Sequence, residues 1–304
     1  MKIGVIGLGS MGYGIATSLL RAGHQVYGAD VNADAVKRLQ GEGGETVSTA
    51  TSAPDLDALV IVVLNATQAE EVLFGNKGLA EFLSVSAVVI LCVTVAPDFA
   101  RSLGKRCTAL GLNFLDAPIS GGSVKAAQGK LSVMASGTPS AFEKARPALD
   151  AMAETVFELG DSAGAGSAMK AVNQMLAGVH IAAMAEALTF GMTQGIAPET
   201  FMKVIPRCAG TSWMLENRAP HIVSGDYTPH SAVDIWPKDL GIVLDAARAS
   251  KFEAPITAAA LQQFLAASGM GLGHEDDAAV AKVYARSVGL TLPGMTLPGT
   301  VQKP

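Results

Sequence analysis

Lys2-Ile3-Gly4-Val5-Ile6-Gly7-Leu8-Gly9-Ser10-Met11-Gly12 opens the chain, and Gln25-Val26-Tyr27-Gly28-Ala29-Asp30 follows one amphipathic stretch later. The order is an apolar run, a G-x-G-x-x-G turn, a helical pattern, a second apolar run and an acidic residue. That combination marks a strand–turn–helix–strand unit that binds a dinucleotide. Gly7 permits the tight turn, Gly9 lets the backbone approach a pyrophosphate, and Gly12 lets the helix pack closely on the strand. The backbone of Gly7, Leu8, Gly9, Ser10, Met11 and Gly12 is therefore the expected phosphate cradle, at a helix N-terminus. Asp30 is expected to accept hydrogen bonds from the adenine-side ribose. Val31 and Asn32 come next, and no cation appears until Lys37. A 2′-phosphate needs a cationic partner there and would be repelled by Asp30, so NAD is expected rather than NADP.

A chain of 304 residues accommodates two domains. It is 49% hydrophobic and only 16% charged, so extensive burial and self-association, as a homodimer or homotetramer, are expected. The net charge of −5 and the lack of a basic stripe argue against nucleic acid as a partner. Cys92, Cys107 and Cys208 are odd in number and widely spaced, and two of them fall inside apolar runs, which fits small core residues in a reducing cytoplasm. The first strand starts at once, so no targeting segment is expected. The five histidines show no metal-ligand spacing, and no metal is expected.

Short apolar runs recur at Ala58–Leu64, Ala87–Val93, Asn113–Ala117, Leu131–Ser136 and Thr155–Leu159, with helical patterns such as Ala96–Leu110 and Ser140–Met152 between them. This alternation stops near Gly160. The expected fold class is α/β: an N-terminal Rossmann-type, mostly parallel sheet domain (1–163), then an all-α domain (164–291) and a flexible tail (292–304) with a Leu-Pro-Gly repeat. Gly160–Gly166 is expected to act as a hinge. The apolar stretch from Ser167 to Gln194 is expected to form a long buried helix joining the domains. Lys170, Asn173, Gln174, His180 and Glu186 interrupt it too often for a membrane span.

Lys170 lies about one turn into that helix, with Asn173 and Gln174 three and four residues on, on one face. An amine in apolar surroundings near a helix N-terminus has its pKa drawn down, which suits a general acid/base. A snorkelling lysine is the bland alternative. Asp116-Ala117-Pro118-Ile119-Ser120-Gly121-Gly122-Ser123 follows a strand. There Ser120 with the amides of Gly121 and Gly122 suits a substrate carboxylate, or makes an ordinary turn into the next helix. Trp236-Pro237-Lys238-Asp239-Leu240 reads as a helix start, with Pro237 at the first helical position and Asp239 in the first turn. Lys238 either neutralises a carboxylate, contacts the nicotinamide end of the cofactor, or is solvated there. Thr94, after the run Val88–Val93, either touches the nicotinamide ribose or a substrate or is an ordinary strand-end threonine, and it is placed with Asn65 at the cofactor site. The 212–218 and 226–231 stretches either line a pocket or cap helices. His274-Glu275-Asp276-Asp277 reads as a helix cap rather than a metal site.

The order Gly7–Gly12, Asp116–Gly122, Gly164–Asn173 and Lys238-Asp239-Leu240 resembles the β-hydroxyacid dehydrogenase family, over nearly the whole chain. The resemblance implies Lys170 as catalytic acid/base and Ser120, Gly121, Gly122 and Asn173 around the substrate, and Gln174, next to Asn173, is placed with them. The resemblance also implies Thr94 and Lys238 around the nicotinamide. Residues 176–183, 212–218, 225–234 and 290–294 resemble the branch that oxidises the C2 hydroxyl of a four-carbon sugar acid, L-threonate, with NAD. Two departures stand out. Gln174 replaces an Asn usual in the wider family, and Trp236-Pro237 precedes Lys238. On the same scaffold a reductase of glyoxylate or succinic semialdehyde is the rival, as is a dehydrogenase of 3-hydroxyisobutyrate or a tartronate semialdehyde reductase. A non-catalytic dinucleotide sensor is the rival from another class.

Overall fold

The computed structural model describes residues 1–47 and 55–295; the end of the expected tail, 296–304, lies outside the described residues. The chain divides into two compact units, Met1–Ala171 and Val172–Pro304.

In the first unit β1 (Lys2–Ile6), β2 (Gln25–Ala29), β3 (Glu45–Thr46), β4 (Ala58–Ile61), β5 (Val88–Leu91) and β6 (Asn113–Asp116) lie in the order β3-β2-β1-β4-β5-β6. Every neighbouring pair among them is parallel. The short β7 (Ile119–Ser120) pairs antiparallel with β8 (Leu131–Gly137), which also runs antiparallel to β6, and β9 (Ala153–Glu158) pairs parallel with β8. The two-residue strands β3 and β7 carry no hydrophobic run, which is why periodicity misses them.

Both faces of the sheet are covered, so its central strands are apolar on both sides. Ala58, Val60, Val88 and Ile90 enter one core with residues of α1 (Ser10–Arg21) and α6 (Pro139–Met152). Their alternates Leu59, Ile61, Val89 and Leu91 enter another with α3 (Ala66–Phe74) and α4 (Pro97–Ala109). Two further helices, α2 (Ala33–Gly41) and α5 (Gly122–Gln128), complete the unit ahead of α7 (Ala165–Thr193). Cys92 and Cys107 are buried core thiols, as expected, and Cys208 is exposed.

The second unit is helical: the remainder of α7, then α8 (Pro198–Val204), α9 (Trp213–Ser224), α10 (Ile235–Ala249), α11 (Pro255–Ala267) and α12 (Ala281–Ser287). Its core gathers Ile181, Leu188, Leu215, Ile222, Trp236, Leu240 and Phe264, with Trp236 stacked on Phe264 at 5.4 Å between centroids. The fully buried Asp277 accepts hydrogen bonds from Arg218 Nε (2.6 Å) and Trp236 Nε1 (2.9 Å), while Asp276 caps the following turn at the Ala278 amide. Asp276 thus plays the expected cap, but Asp277 is a core ion-pair partner. Among the described residues no His/Cys/Asp/Glu group is arranged for a metal.

Three expectations are corrected. The helix α10 starts at Ile235, so Pro237 is its third residue and Asp239 lies beyond the first turn. The 164–166 segment is packed rather than loose: a Cβ on Gly166 would sit 2.4 Å from the Met134 carbonyl oxygen and 2.6 Å from that of Asp116. Leu292, at the start of the expected tail, is buried in the helical core. The helix α7 is long and apolar enough to cross a membrane by length and composition, and 44% of its most apolar window is buried inside the chain. Its burial is one-sided, leaving Val172, Leu176 and Phe190 exposed.

Gly14 is where α1 meets α5, since a Cβ there would lie 2.6 Å from the Ala127 nitrogen and 2.9 Å from the Ala126 carbonyl carbon. Gly14→Val is expected to wedge the helices apart and to cost about 1–3 kcal/mol, the usual penalty of overpacking. Urea unfolding of both proteins checks it.

Candidate active site

In an open parallel sheet, ligands bind outside the carboxyl ends of the strands, where strand order reverses. Here β1 and β4 flank that point. The segments leaving the carboxyl ends of β1, β2, β4, β5 and β6 carry Gly7–Gly12, Asp30–Val31, Asn65, Thr94 and Asp116–Gly122 respectively. The fold therefore brings these candidates of the first unit to one edge.

The glycine turn fits a pyrophosphate. Gly7 has φ +93°, and a Cβ there would meet the Val62 carbonyl oxygen at 2.4 Å. A Cβ on Gly12 would sit 1.8 Å from the Gly7 oxygen, so the turn and α1 interlock only through a bare Cα. Around Gly9 a Cβ would meet nothing within 4 Å, which leaves backbone open to approach. The N-terminus of α1 has no side-chain cap and no acidic residue in its first turn, so its amides and dipole suit an anion. Asp30 is pinned to the same turn, accepting from the amides of Leu8 (2.5 Å) and Asn32 (2.7 Å), while Val31 is fully exposed. Asn65 caps α3 through a bond from the Gln68 amide (2.9 Å). Thr94 is held partly buried between the buried Val93 and Val95.

Lys170 is 7% exposed, and its Nζ donates to the Ile119 carbonyl at 2.9 Å. It does not snorkel. Ile119 directly precedes Ser120, Gly121 (φ +133°) and Gly122 (φ +77°), so the amine is anchored to the turn suited to a carboxylate. Asp116, at the end of β6, is fully buried and bonded to the start of α7. Burial pushes its carboxyl up, opposed by hydrogen bonds from Ser167, Gly164 and Ser136. Nothing local in the sequence gives Asp116 this role, because its partners lie 20 to 51 residues away.

In the second unit, Asn173 Nδ2 donates to Gln174 Oε1 (2.8 Å), and Gln174 Nε2 donates to Asp239 Oδ2 (2.5 Å). Lys238 Nζ takes the other oxygen of Asp239, also at 2.5 Å. Asp239 is 3% exposed and ties together three candidates named from the sequence. Sequence reasoning treated it as a helix-dipole charge and missed this part. The 212–218 and 226–231 stretches serve as caps and turns: Ser212 caps α9 at the Leu215 amide, and Asp226 accepts from the Thr228 amide.

Residues 2–160 match the NAD binding domain of 6-phosphogluconate dehydrogenase, and residues 164–284 match the NAD-binding domain of NADP-dependent 3-hydroxyisobutyrate dehydrogenase. The chain belongs to the β-hydroxyacid dehydrogenase family. It is 48% identical to the L-threonate dehydrogenase of Cupriavidus necator, covering 99% of each chain. It is equally similar, at 48%, to the L-threonate dehydrogenase of Escherichia coli O6:H1, covering 96% of each. A crystal structure of 3-hydroxyisobutyrate dehydrogenase from Salmonella typhimurium superposes with a TM-score of 0.88 at 48% identity, covering 93% of this chain and 99% of that one. This β-hydroxyacid dehydrogenase is an NAD-dependent oxidoreductase acting on a small-molecule substrate.

Because Gly12 has no space for a side chain, Gly12→Ala is expected to weaken NADH binding at least about tenfold, roughly 1.4 kcal/mol. Fluorescence titration of NADH reads the loss, and circular dichroism confirms an intact fold.

Proposed function

We propose that this dehydrogenase oxidises the C2 hydroxyl of L-threonate to the 2-oxo acid, with Lys170 as the general base. The observation that carries this reading is the buried Lys170 amine, 2.9 Å from the Ile119 carbonyl, beside the Ser120–Gly122 turn. In this reading Ser120 and the amides of Gly121 and Gly122 hold the substrate carboxylate, with Asn173 and Gln174 assisting. Lys170 takes the hydroxyl proton as the hydride leaves the same carbon. NAD, when bound, supplies the hydride acceptor. Gly7, Leu8, Gly9, Ser10, Met11 and Gly12 hold its pyrophosphate, and Asp30 and Val31 its adenosine side. Asn65, Thr94 and Lys238 are assigned to the nicotinamide side. Asp30 and the absence of a cation before Lys37 support NAD over NADP.

The names of the relatives at 45–48% identity support L-threonate. The similarity to the Salmonella 3-hydroxyisobutyrate dehydrogenase favours that acid as a second reading. NADH formation with L-threonate beside D-threonate, D-glycerate and 3-hydroxyisobutyrate separates them. L-threonate is expected to give the highest kcat/KM, and NADP a much lower rate. Lys170→Ala is expected to lower kcat by about 10²–10⁴, the usual worth of a positioned acid/base, with NADH affinity retained. Near-normal turnover in that variant would overturn the assignment.

The reading includes a self-associating, cytoplasmic enzyme. Along α7, Val172, Leu176, Val179, Ala183, Glu186 and Phe190 recur at alternating steps of four and three, the spacing of a helix–helix seam. Val172, Leu176 and Phe190 are 53%, 52% and 64% exposed, leaving much of that seam uncovered. Sedimentation velocity is expected to show a dimer or tetramer, with Leu176→Glu shifting it toward monomer.

A further inference from the structure

We infer that Asp116 is a positioning residue that sets Lys170 through the first turn of α7; the inference rests on the assignment of Lys170 as base. Two segments of the first unit are stapled at matching intervals. At one staple, Asp116 Oδ2 accepts from the amides of Gly164 and Ser167, both at 2.9 Å, and from Ser136 Oγ at 3.4 Å. Asp116 Oδ1 accepts from Ser167 Oγ at 2.7 Å. Three residues further along each segment, Ile119 accepts from Lys170 Nζ at 2.9 Å.

The carboxylate thus caps α7 from a neighbouring strand, capturing amide donors that the helix cannot satisfy itself. Its charge also suits the positive helix end. Ser136 closes the arrangement, since its Oγ accepts from the Gly166 amide at 3.0 Å. Gly166 in turn leaves no space between the helix start and the backbones of β6 and β8. Asp116, Ser136 and Ser167 are all at most 1% exposed, so no water competes for these bonds. The first turn of α7 is therefore fixed in both rotation and height on the strand that leads into the Ser120–Gly122 turn. Three residues later, that setting decides how far the amine stands from a carboxylate held on the turn. Displacements of about 1 Å at a reacting group can cost on the order of 10²-fold in rate.

The test measures kcat, KM and NADH affinity for Asp116→Ala, Asp116→Asn, Ser167→Ala and Lys170→Ala, using L-threonate or whichever acid of the panel turns over fastest. Asp116→Ala is expected to lower kcat by about 10²-fold, the cost of a misplaced group, with the KM for NAD and the affinity for NADH unchanged. Asp116→Asn can still accept from both amides and can donate to Ser167 Oγ, so it is expected to recover most of that loss. In the Lys170→Ala background, Asp116→Ala is expected to add little, because residues acting as a unit are non-additive. If Lys170→Ala is severe while a folded Asp116→Ala keeps wild-type kcat, the positioning role is wrong and the base assignment stands. Full additivity of the two losses also overturns it. Should Asp116→Ala not fold, Ser167→Ala decides: a lowered kcat at constant KM for NAD supports the role, and a wild-type kcat ends it. Near-normal turnover in Lys170→Ala would remove both readings together.

Discussion

A buried amine needs fixed acceptors, and for Lys170 one of them is the carbonyl of Ile119. Much of the local architecture follows from making this one bond possible. The chain leaving β6 must turn sharply enough to present a carbonyl, and β7 pairs with β8 to hold it there. The helix α7 must begin close against two strand backbones, which only a glycine at 166 permits. Its exposed amide ends must be satisfied away from water, and a buried carboxylate does so. A glycine-rich stretch that looks permissive in sequence is therefore among the more constrained parts of the fold.

The dinucleotide turn obeys a similar economy of space. Neither Gly7 nor Gly12 has room for even a methyl group, and Gly7 adopts a positive φ as well. Gly9, by contrast, faces open space, as a backbone meant to meet a ligand should. Asp30 ties the end of β2 to this turn, so its carboxylate is held in place by the protein itself.

Most of the fold was legible because its signals are local. Apolar runs bounded by turns place β1, β2, β4, β5, β6, β8 and β9, and the glycine fingerprint fixes the parallel class. The strands β3 and β7 escape because two residues show no period, and the antiparallel turn of β8 is a matter of pairing rather than composition. At the candidate site, Lys170 and the Ser120–Gly122 turn stand out as residue types in a telling order. Asp116 and Asp239 do not, because a carboxylate near a helix or strand end looks the same whether it is solvated or buried. Their partners include groups 48 to 65 residues distant in the chain, and only the folded contacts reveal the roles. Gln174, noticed as a departure from the family pattern, gains its meaning the same way, from the buried carboxylate it reaches.

The chain of bonds from Asn173 through Gln174 to Asp239 has one direction only. An ionised carboxylate can accept but never donate, so it forces the nitrogen of Gln174 toward itself, and the oxygen of Gln174 then demands the nitrogen of Asn173. Neither amide is free to flip. Asn173 is thereby left with its carbonyl oxygen and its second amide N–H outside that chain of bonds, an acceptor and a donor side by side. Such a pair matches a hydroxyl group, which also donates and accepts, and finds nothing to bond in a methyl group.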